Sequence, residues 1–188
     1  HQTNVDAQLV DEWKLSSAAT LGSSVRTRGS LLEVSARLPS TAKRFRHIEA
    51  RTLALRIPDD ATDEFCMASA IVGKVLEDIE SLPVIPREIE DILAITATER
   101  HRWLNDGRLR SVGTRTVELR GTRPEDKVYF SDPRDVKDVL DRDLVTVLRE
   151  EDALTAAENR RRAAGRAALK RSQKLGRKSA LTNVDDTG

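Results

Sequence analysis

The sequence is poor in cysteine and in aromatic residues. Cys66 is the only cysteine among 188 residues, so the chain can form no internal disulfide and no zinc site built from several thiolates. A reducing, cytoplasmic setting is therefore expected. Six aromatic side chains offer little material for stacking against unpaired bases. No apolar run approaches the roughly 18 residues of a membrane span, so a membrane partner is not expected.

Residue types that carry catalysis are also scarce. None of the three histidines, His1, His47 and His101, has an acid–base partner at a useful spacing. The sequence holds no phosphate-binding loop, no dinucleotide fingerprint and no cluster of metal ligands. We therefore expect a protein that is not an enzyme, needs no cofactor and takes no small-molecule substrate.

Charge is plentiful but unevenly distributed along the chain. The formal net charge is only +1. Residues 1–158 carry 23 basic and 29 acidic side chains, whereas residues 159–178 carry six Arg, three Lys and no acid. A strongly basic segment attached to a mildly acidic body indicates a polyanionic partner.

The first 82 residues show the apolar periodicity of a helical region. The spacing predicts a helix over 5–21, ended by Gly22, and a polar connector over 23–30. We expect this region to supply a surface for a second copy or another partner, because its apolar helices have no other assigned role.

Two further segments of this region have different patterns. Residues 51–57 alternate polar and apolar side chains, which fits a short half-buried strand as well as a helix end. Residues 62–81 repeat apolar side chains every three or four positions, which predicts a helix with Thr62 as its N-cap. The region is therefore expected to be α-helical or α+β.

A second region, residues 83–143, begins with two short helices. The first is predicted over 87–95 and the second over 97–106. Thr96 and Glu99 have the spacing of a capping box at the start of the second helix, and Gly107 suits its end. Two short helices joined by a tight turn are typical of the helix-turn-helix motif.

A hairpin and a further helix follow. Residues 115–120 and 127–130 alternate around a polar link, which predicts two antiparallel strands. Asp132 and Pro133 then have the positions of an N-cap and a first helical residue. The predicted order is helix, turn, helix, two strands, helix.

The residues REIEDILAITATERHRWLNDGRL, followed by YFSDPRDVKDVL, resemble the winged-helix DNA-binding domain of MerR-type regulators and excisionases. The matching features are Arg102-Trp103, Gly107-Arg108-Leu109 and Asp132-Pro133. The resemblance covers about 60 residues, a third of the chain. Two features differ: Arg100 stands where that family usually has a small apolar residue facing the core, and the hairpin link is longer.

The resemblance implies that the 97–106 helix enters the major groove of duplex DNA, with Trp103 packed inward. His101 is either a pH-sensitive contact or a surface histidine without a role. The hairpin arginines would contact phosphates or the minor groove, the alternative being a solvated charged hairpin. The expected contacts of this region are Thr98, Arg100, His101, Arg102, Arg108, Arg110, Arg115, Arg120 and Arg123.

The last region, residues 144–188, has the composition of a basic helix or a disordered basic tail. Gly165 and Gly176 are expected to interrupt the helix, and no strict heptad pattern is present. Its cations would neutralise phosphates without reading sequence. They are Arg160, Arg161, Arg162, Arg166, Lys170, Arg171, Lys174, Arg177 and Lys178.

The sequence therefore predicts a mainly α fold with a small β-hairpin. A helical region (1–82) precedes a winged helix-turn-helix domain (83–143) and a basic tail. We expect a nucleoid-associated protein that binds duplex DNA sequence-specifically, as a transcriptional regulator or a recombination and excision accessory factor. It would act alone, as a dimer or in a larger nucleoprotein assembly. The alternative is a helical adaptor whose winged helix contacts proteins and whose tail binds RNA or an acidic surface.

Overall fold

A three-stranded antiparallel sheet in the order β1-β3-β2 organises the first part of the chain. Its strands are β1 (Gln8–Lys14), β2 (Arg46–Glu49) and β3 (Thr52–Pro58). The computed structural model describes residues 7–116 and 127–182. The fold is mainly helical, as predicted, and its first part has the α+β form.

The predicted helix over 5–21 is wrong. Most of this segment is strand β1, and only Ser17–Thr20 (α1) is helical. Alternate side chains of β1 are half-buried, and Trp13 lies directly opposite Leu53 of the central strand. Pairing with a strand almost 40 residues away outweighs the local helical spacing of the apolar residues. The alternating segment 51–57 is likewise a strand rather than a helix end.

Helices pack on one face of this sheet. They are α2 (Ser24–Arg37), α3 (Ser40–Lys43), α4 (Thr62–Glu77) and a 3₁₀ turn (Ile79–Ser81). The predicted long helix over 62–81 is confirmed as far as Glu77. Its N-cap is Ala61 rather than Thr62, whose hydroxyl instead donates to the carbonyl of Asp59 at 3.2 Å.

The predicted connector over 23–30 is also wrong, because α2 begins there. The Ser23 hydroxyl accepts the backbone N–H of Arg26 at 3.0 Å and so caps the helix. Arg26, Thr27 and Ser30 lie on its buried face, with exposures of 1%, 7% and 3%. Because these buried side chains are polar, the spacing of apolar residues alone does not reveal the inner face of this helix.

The core of this part lies between the sheet, α2 and α4. Apolar side chains from all three elements are almost fully buried. Burial of one large apolar side chain stabilises the folded state by about 1.5–3 kcal/mol relative to leaving it exposed. The central members are Leu31, Val34, Leu53, Leu55, Ile57 and Val72.

The central segment, which we define as residues 84–141, contains its elements in the predicted order. They are α5 (Pro86–Leu93), α6 (Ala97–Asn105), β4 (Gly113–Thr116), β5 (Lys127–Phe130) and α7 (Pro133–Asp141). Strands β4 and β5 pair antiparallel. The Asp132 carboxylate accepts the backbone N–H of Arg134 at 2.8 Å, and Pro133 is the first helical residue. The predicted start of α7 is therefore confirmed.

The two ends of the central segment meet at Val84 and Ser131. The N–H of Val84 donates to the Ser131 carbonyl at 2.8 Å, and the N–H of Ser131 donates back at 3.0 Å. Both residues are fully or almost fully buried, and the Ser131 hydroxyl donates to the carbonyl of Arg110. The chain thus enters and leaves the α5–β5 region at one point.

The chain divides into two compact units between Arg142 and Asp143. The predicted boundary after residue 82 lies inside the first unit, and the predicted boundary after residue 143 lies one residue beyond this division. Helices α2 and α5, which lie on either side of residue 82 in the sequence, contact each other, so both belong to the first unit.

The second unit is built on one helix, α8 (Leu144–Thr182), which runs without a break for 39 residues. The prediction that Gly165 and Gly176 interrupt it is wrong. A glycine costs a helix only about 1 kcal/mol relative to alanine, and the neighbouring residues are strong helix formers. No helix within residues 7–116 or 127–182 has both the length and the apolar character needed to cross a membrane.

Candidate nucleic-acid interface

A tight turn sets the relation between α5 and α6. Ala94 ends α5 in the left-handed conformation, at φ 51°, and its N–H donates to the carbonyl of Glu90. The Thr96 hydroxyl accepts the N–H of Glu99 at 3.1 Å, and the Glu99 carboxylate accepts the N–H of Thr96 at 2.8 Å. This reciprocal pair is the predicted capping box, which fixes where α6 begins.

The inner side of α6 is anchored by Trp103. Its side chain is completely buried, as predicted, and its carbonyl accepts the N–H of Leu109 at 2.8 Å. Gly107 ends the helix region with φ 80°, a conformation that glycine adopts without a steric penalty. The chain therefore folds back over α6 directly after its last turn.

Arg100, predicted as a DNA contact, lies inside the fold. It is 7% exposed, and its Nε donates to the Glu90 carboxylate of α5 at 2.8 Å. Its Nη2 lies 3.1 Å from Nε2 of His101. The guanidinium joins α6 to α5 and orients the His101 ring, so we place Arg100 among the supporting residues and outside the exposed contact set.

The outer side of α6 presents a narrow polar face. Thr98, His101, Arg102 and Asn105 are all exposed and fall within about 100° around the helix axis. Thr98, His101 and Arg102 are predicted as contacts from the sequence, whereas Asn105 is not. Its position seven residues after Thr98, two helical turns along the same face, is the signal that could have found it.

Basic residues continue after α6. The Arg108 guanidinium donates to the Asp106 carboxylate at 2.9 Å from Nε and 2.6 Å from Nη2, so Asp106 neutralises part of its charge. The Arg108 side chain is 26% exposed, whereas Arg110 belongs to the exposed residues. Arg110 is therefore the more available of these two predicted phosphate contacts.

The hairpin carries the remaining predicted contacts of this segment. Gly113 lies opposite Phe130, and the N–H of Val112 donates to the Phe130 carbonyl at 2.8 Å. The backbone of Arg115 belongs to β4. The predicted contacts Arg120 and Arg123 lie outside the described residues, as does the link over 121–126, and they stay predictions.

An ion pair marks the start of α7. The Arg134 guanidinium donates to the carboxylate of its own helix cap, Asp132, at 3.2 Å. This hydrogen bond, with the backbone N–H of Arg134, holds the pKa of Asp132 below its ordinary range, and it raises the pKa of Arg134. The negative charge of the Asp132 carboxylate suits the positive end of a helix.

The predicted phosphate contacts of the basic segment all lie on α8. Every residue from 158 to 181 is exposed, so these cations are on the surface of the helix. Arg162 forms an ion pair with Glu158, one turn earlier. The predicted residues are Arg160, Arg161, Arg162, Arg166, Lys170, Arg171, Lys174, Arg177 and Lys178.

Comparison with family models, curated proteins and solved structures gave no significant match to this chain. Within the part of the chain that the structure describes, no three His, Cys, Asp or Glu side chains form a group that could hold a metal ion.

Proposed function

We propose that this chain binds duplex DNA sequence-specifically and that α6 is its recognition helix. The observation that carries the proposal is the two-sided construction of α6. Thr98, His101, Arg102 and Asn105 project to solvent, while Trp103 anchors the opposite side. A helix that enters a groove needs such a polar outer face and a fixed inner one.

The chemistry of this face suits the edges of base pairs. Arg102 can donate two hydrogen bonds to guanine, and Asn105 can pair in a bidentate way with adenine. Each such contact discriminates against a wrong base by about 1–3 kcal/mol. Residues 83–143 would then form a winged helix-turn-helix domain, with Arg108, Arg110 and the hairpin arginines on phosphates. The biological role would be transcriptional regulation or assistance to recombination.

Selection of bound sequences from a random duplex pool, with the full chain, tests the proposal. We expect an enriched motif, and an inverted repeat would indicate two bound copies. Arg102→Ala and Asn105→Ala should each weaken binding to that motif by about 5- to 150-fold and should weaken binding to a scrambled duplex much less.

Arg37→Ala is a suitable control, because Arg37 is an exposed arginine of α2 paired with Glu33. It should leave both affinities unchanged. Absence of any enriched motif, or an equal loss on motif and scrambled duplex for the α6 variants, would contradict the proposed role of α6.

An adaptor function is the second candidate, and one groove favours it. This groove has a volume of about 720 Å³ and is lined in part by Ile85, Val112 and Phe130. Ile85 is 39% and Val112 59% exposed, which is typical of a protein-binding surface. Unchanged DNA affinity after simultaneous replacement of Arg102 and Arg108 by alanine would favour the adaptor over the DNA-binding protein.

A further inference from the structure

The continuity of α8 fixes the angular position of every cation around its axis. With 3.6 residues per turn, eight of the nine cations fall within about half of the circumference, and Arg161 is the exception. We call this half the cationic face. Its members are Arg160, Arg162, Arg166, Lys170, Arg171, Lys174, Arg177 and Lys178.

Between residues 159 and 179, the opposite half of the helix is almost free of charge. It contains two large apolar side chains, Leu169 and Leu175, which are 61% and 66% exposed. Its other members are small or carry a hydroxyl, Arg161 apart, and they are Ala164, Gly165, Ala168, Ser172, Gly176 and Ser179. The basic segment is therefore one-sided, which its composition alone does not reveal.

One row of the cationic face works against the stability of the helix. From Arg162 to Lys178 every fourth residue is cationic, and like charges four positions apart weaken an isolated helix. Glu158 pairs with Arg162, the first member of the row, and the sequence from 159 to 182 contains no Asp or Glu. Such a row becomes favourable when an ordered array of negative charges lies beside it.

We propose that the cationic face of α8 lies along the phosphate backbone of duplex DNA, irrespective of sequence. This inference rests on the proposed DNA binding and adds a defined surface to it. The row from Arg162 to Lys178 spans about 24 Å. Over that length the cationic face carries seven cations and one DNA strand carries about seven phosphates, so the two charge densities match.

The composition of the opposite half favours DNA over a membrane surface. Helices that lie in a membrane interface bury a broad apolar face, often with Trp, Phe and several Leu. Between residues 159 and 179 that half offers only Leu169 and Leu175 as large apolar side chains, and its continuation towards the start of the helix carries Glu150, Glu151 and Glu158. It provides too little apolar area to insert, whereas the cationic face is complete.

A charge-conserving rearrangement of the full chain tests the face directly. Three cations exchange places with neighbours on the opposite half, which leaves composition and net charge unchanged. The substitutions are Arg166→Ala with Ala168→Arg, Lys170→Ser with Ser172→Lys, and Lys174→Leu with Leu175→Lys. Binding to a short random-sequence duplex is measured between about 50 and 200 mM salt.

The matched control moves the same three cations within the cationic face. Its substitutions are Arg166→Ala with Ala163→Arg, Lys170→Ala with Ala167→Lys, and Lys174→Gln with Gln173→Lys. We expect the control to bind like the natural chain. The rearranged variant should lose about tenfold or more in affinity at low salt, and its log–log salt slope should become shallower by about 3. Circular dichroism confirms that both variants keep equal helicity.

Two results would overturn the proposal: equal duplex binding by the natural chain and the rearranged variant, or an equal loss in the rearranged variant and the control. If duplex binding is unchanged and the rearranged variant instead loses binding to phosphatidylserine vesicles, the face is assigned to a membrane. Because the probe has a random sequence, these results do not depend on α6. If the selection yields no enriched motif but the rearranged variant still loses duplex affinity, the proposed role of α6 is wrong and the proposed role of α8 stands.

Discussion

Nη1 of Arg26 lies 3.2 Å from Oε2 of Glu88, and both side chains are almost fully buried. The same carboxylate oxygen accepts the N–H of Ile85 at the start of α5. Arg26 also donates to the carbonyls of Ala19 and Leu82, at 2.8 and 2.9 Å. One arginine of α2 therefore fixes the first turn of α5, and with it the position of the central segment on the sheet-containing part.

Glu88→Gln should strongly destabilise the first unit. The change leaves the Arg26 guanidinium buried without a compensating charge, and removal of one partner of a buried pair costs about 3–5 kcal/mol. Urea unfolding of the two proteins measures the difference. Glu33→Gln is the control, because Glu33 pairs with Arg37 at the surface and should contribute less than about 1 kcal/mol. Similar small losses in both variants would contradict the structural role of the buried pair.

Arg100 and Arg102, two residues apart on α6, should respond differently to substitution. Arg100→Met removes the hydrogen bond to Glu90, which should lower the free energy of unfolding by about 1.5–3 kcal/mol. Arg102→Ala, at an exposed position, should change it by less than about 1 kcal/mol while weakening binding to the selected DNA. Thermal unfolding measures the change in stability, and DNA titration at a temperature where each variant is folded measures the change in binding. Weaker DNA binding by Arg100→Met at full stability would instead show a direct contact.

Alanine at the two glycines of α8 should stabilise the helix. Nothing lies within 4 Å of a β-carbon added at Gly165 or Gly176, so each change should add up to about 1 kcal/mol. The thermal loss of far-ultraviolet circular dichroism reports the effect. Gly107→Ala is the opposing control, because a residue at φ 80° is strained by a side chain and should destabilise. Unchanged melting of both α8 variants would contradict a continuous helix.

The elements that could be predicted from the sequence depend on residues close to one another along the chain. The capping box of Thr96 and Glu99, the end of α6 at Gly107 and the start of α7 at Asp132 are all confirmed. Each requires only a side chain and a backbone group within a few positions. The same local logic places Thr98, His101 and Arg102 on the exposed face of α6.

The elements that could not be predicted depend on distant partners. Strand β1 exists because Trp13 and its neighbours pair with β3, and local periodicity carries no record of that pairing. Arg26 can lie on the buried face of α2 because it meets Glu88, 62 residues away. Arg100 likewise needs Glu90 of the preceding helix to be placed inside the fold. In each case a contact across the fold decides what a local pattern leaves open.

The paired backbones of Val84 and Ser131 also bear on how this chain could diversify. Because Val84 before α5 and Ser131 before α7 form an isolated antiparallel bridge, the α5–β5 region begins and ends at one fixed point. Insertions or deletions between β4 and β5 would then change the reach of the hairpin without shifting α7. A different α6 and hairpin could therefore replace the present ones between Val84 and Ser131, while the rest of the first unit is retained.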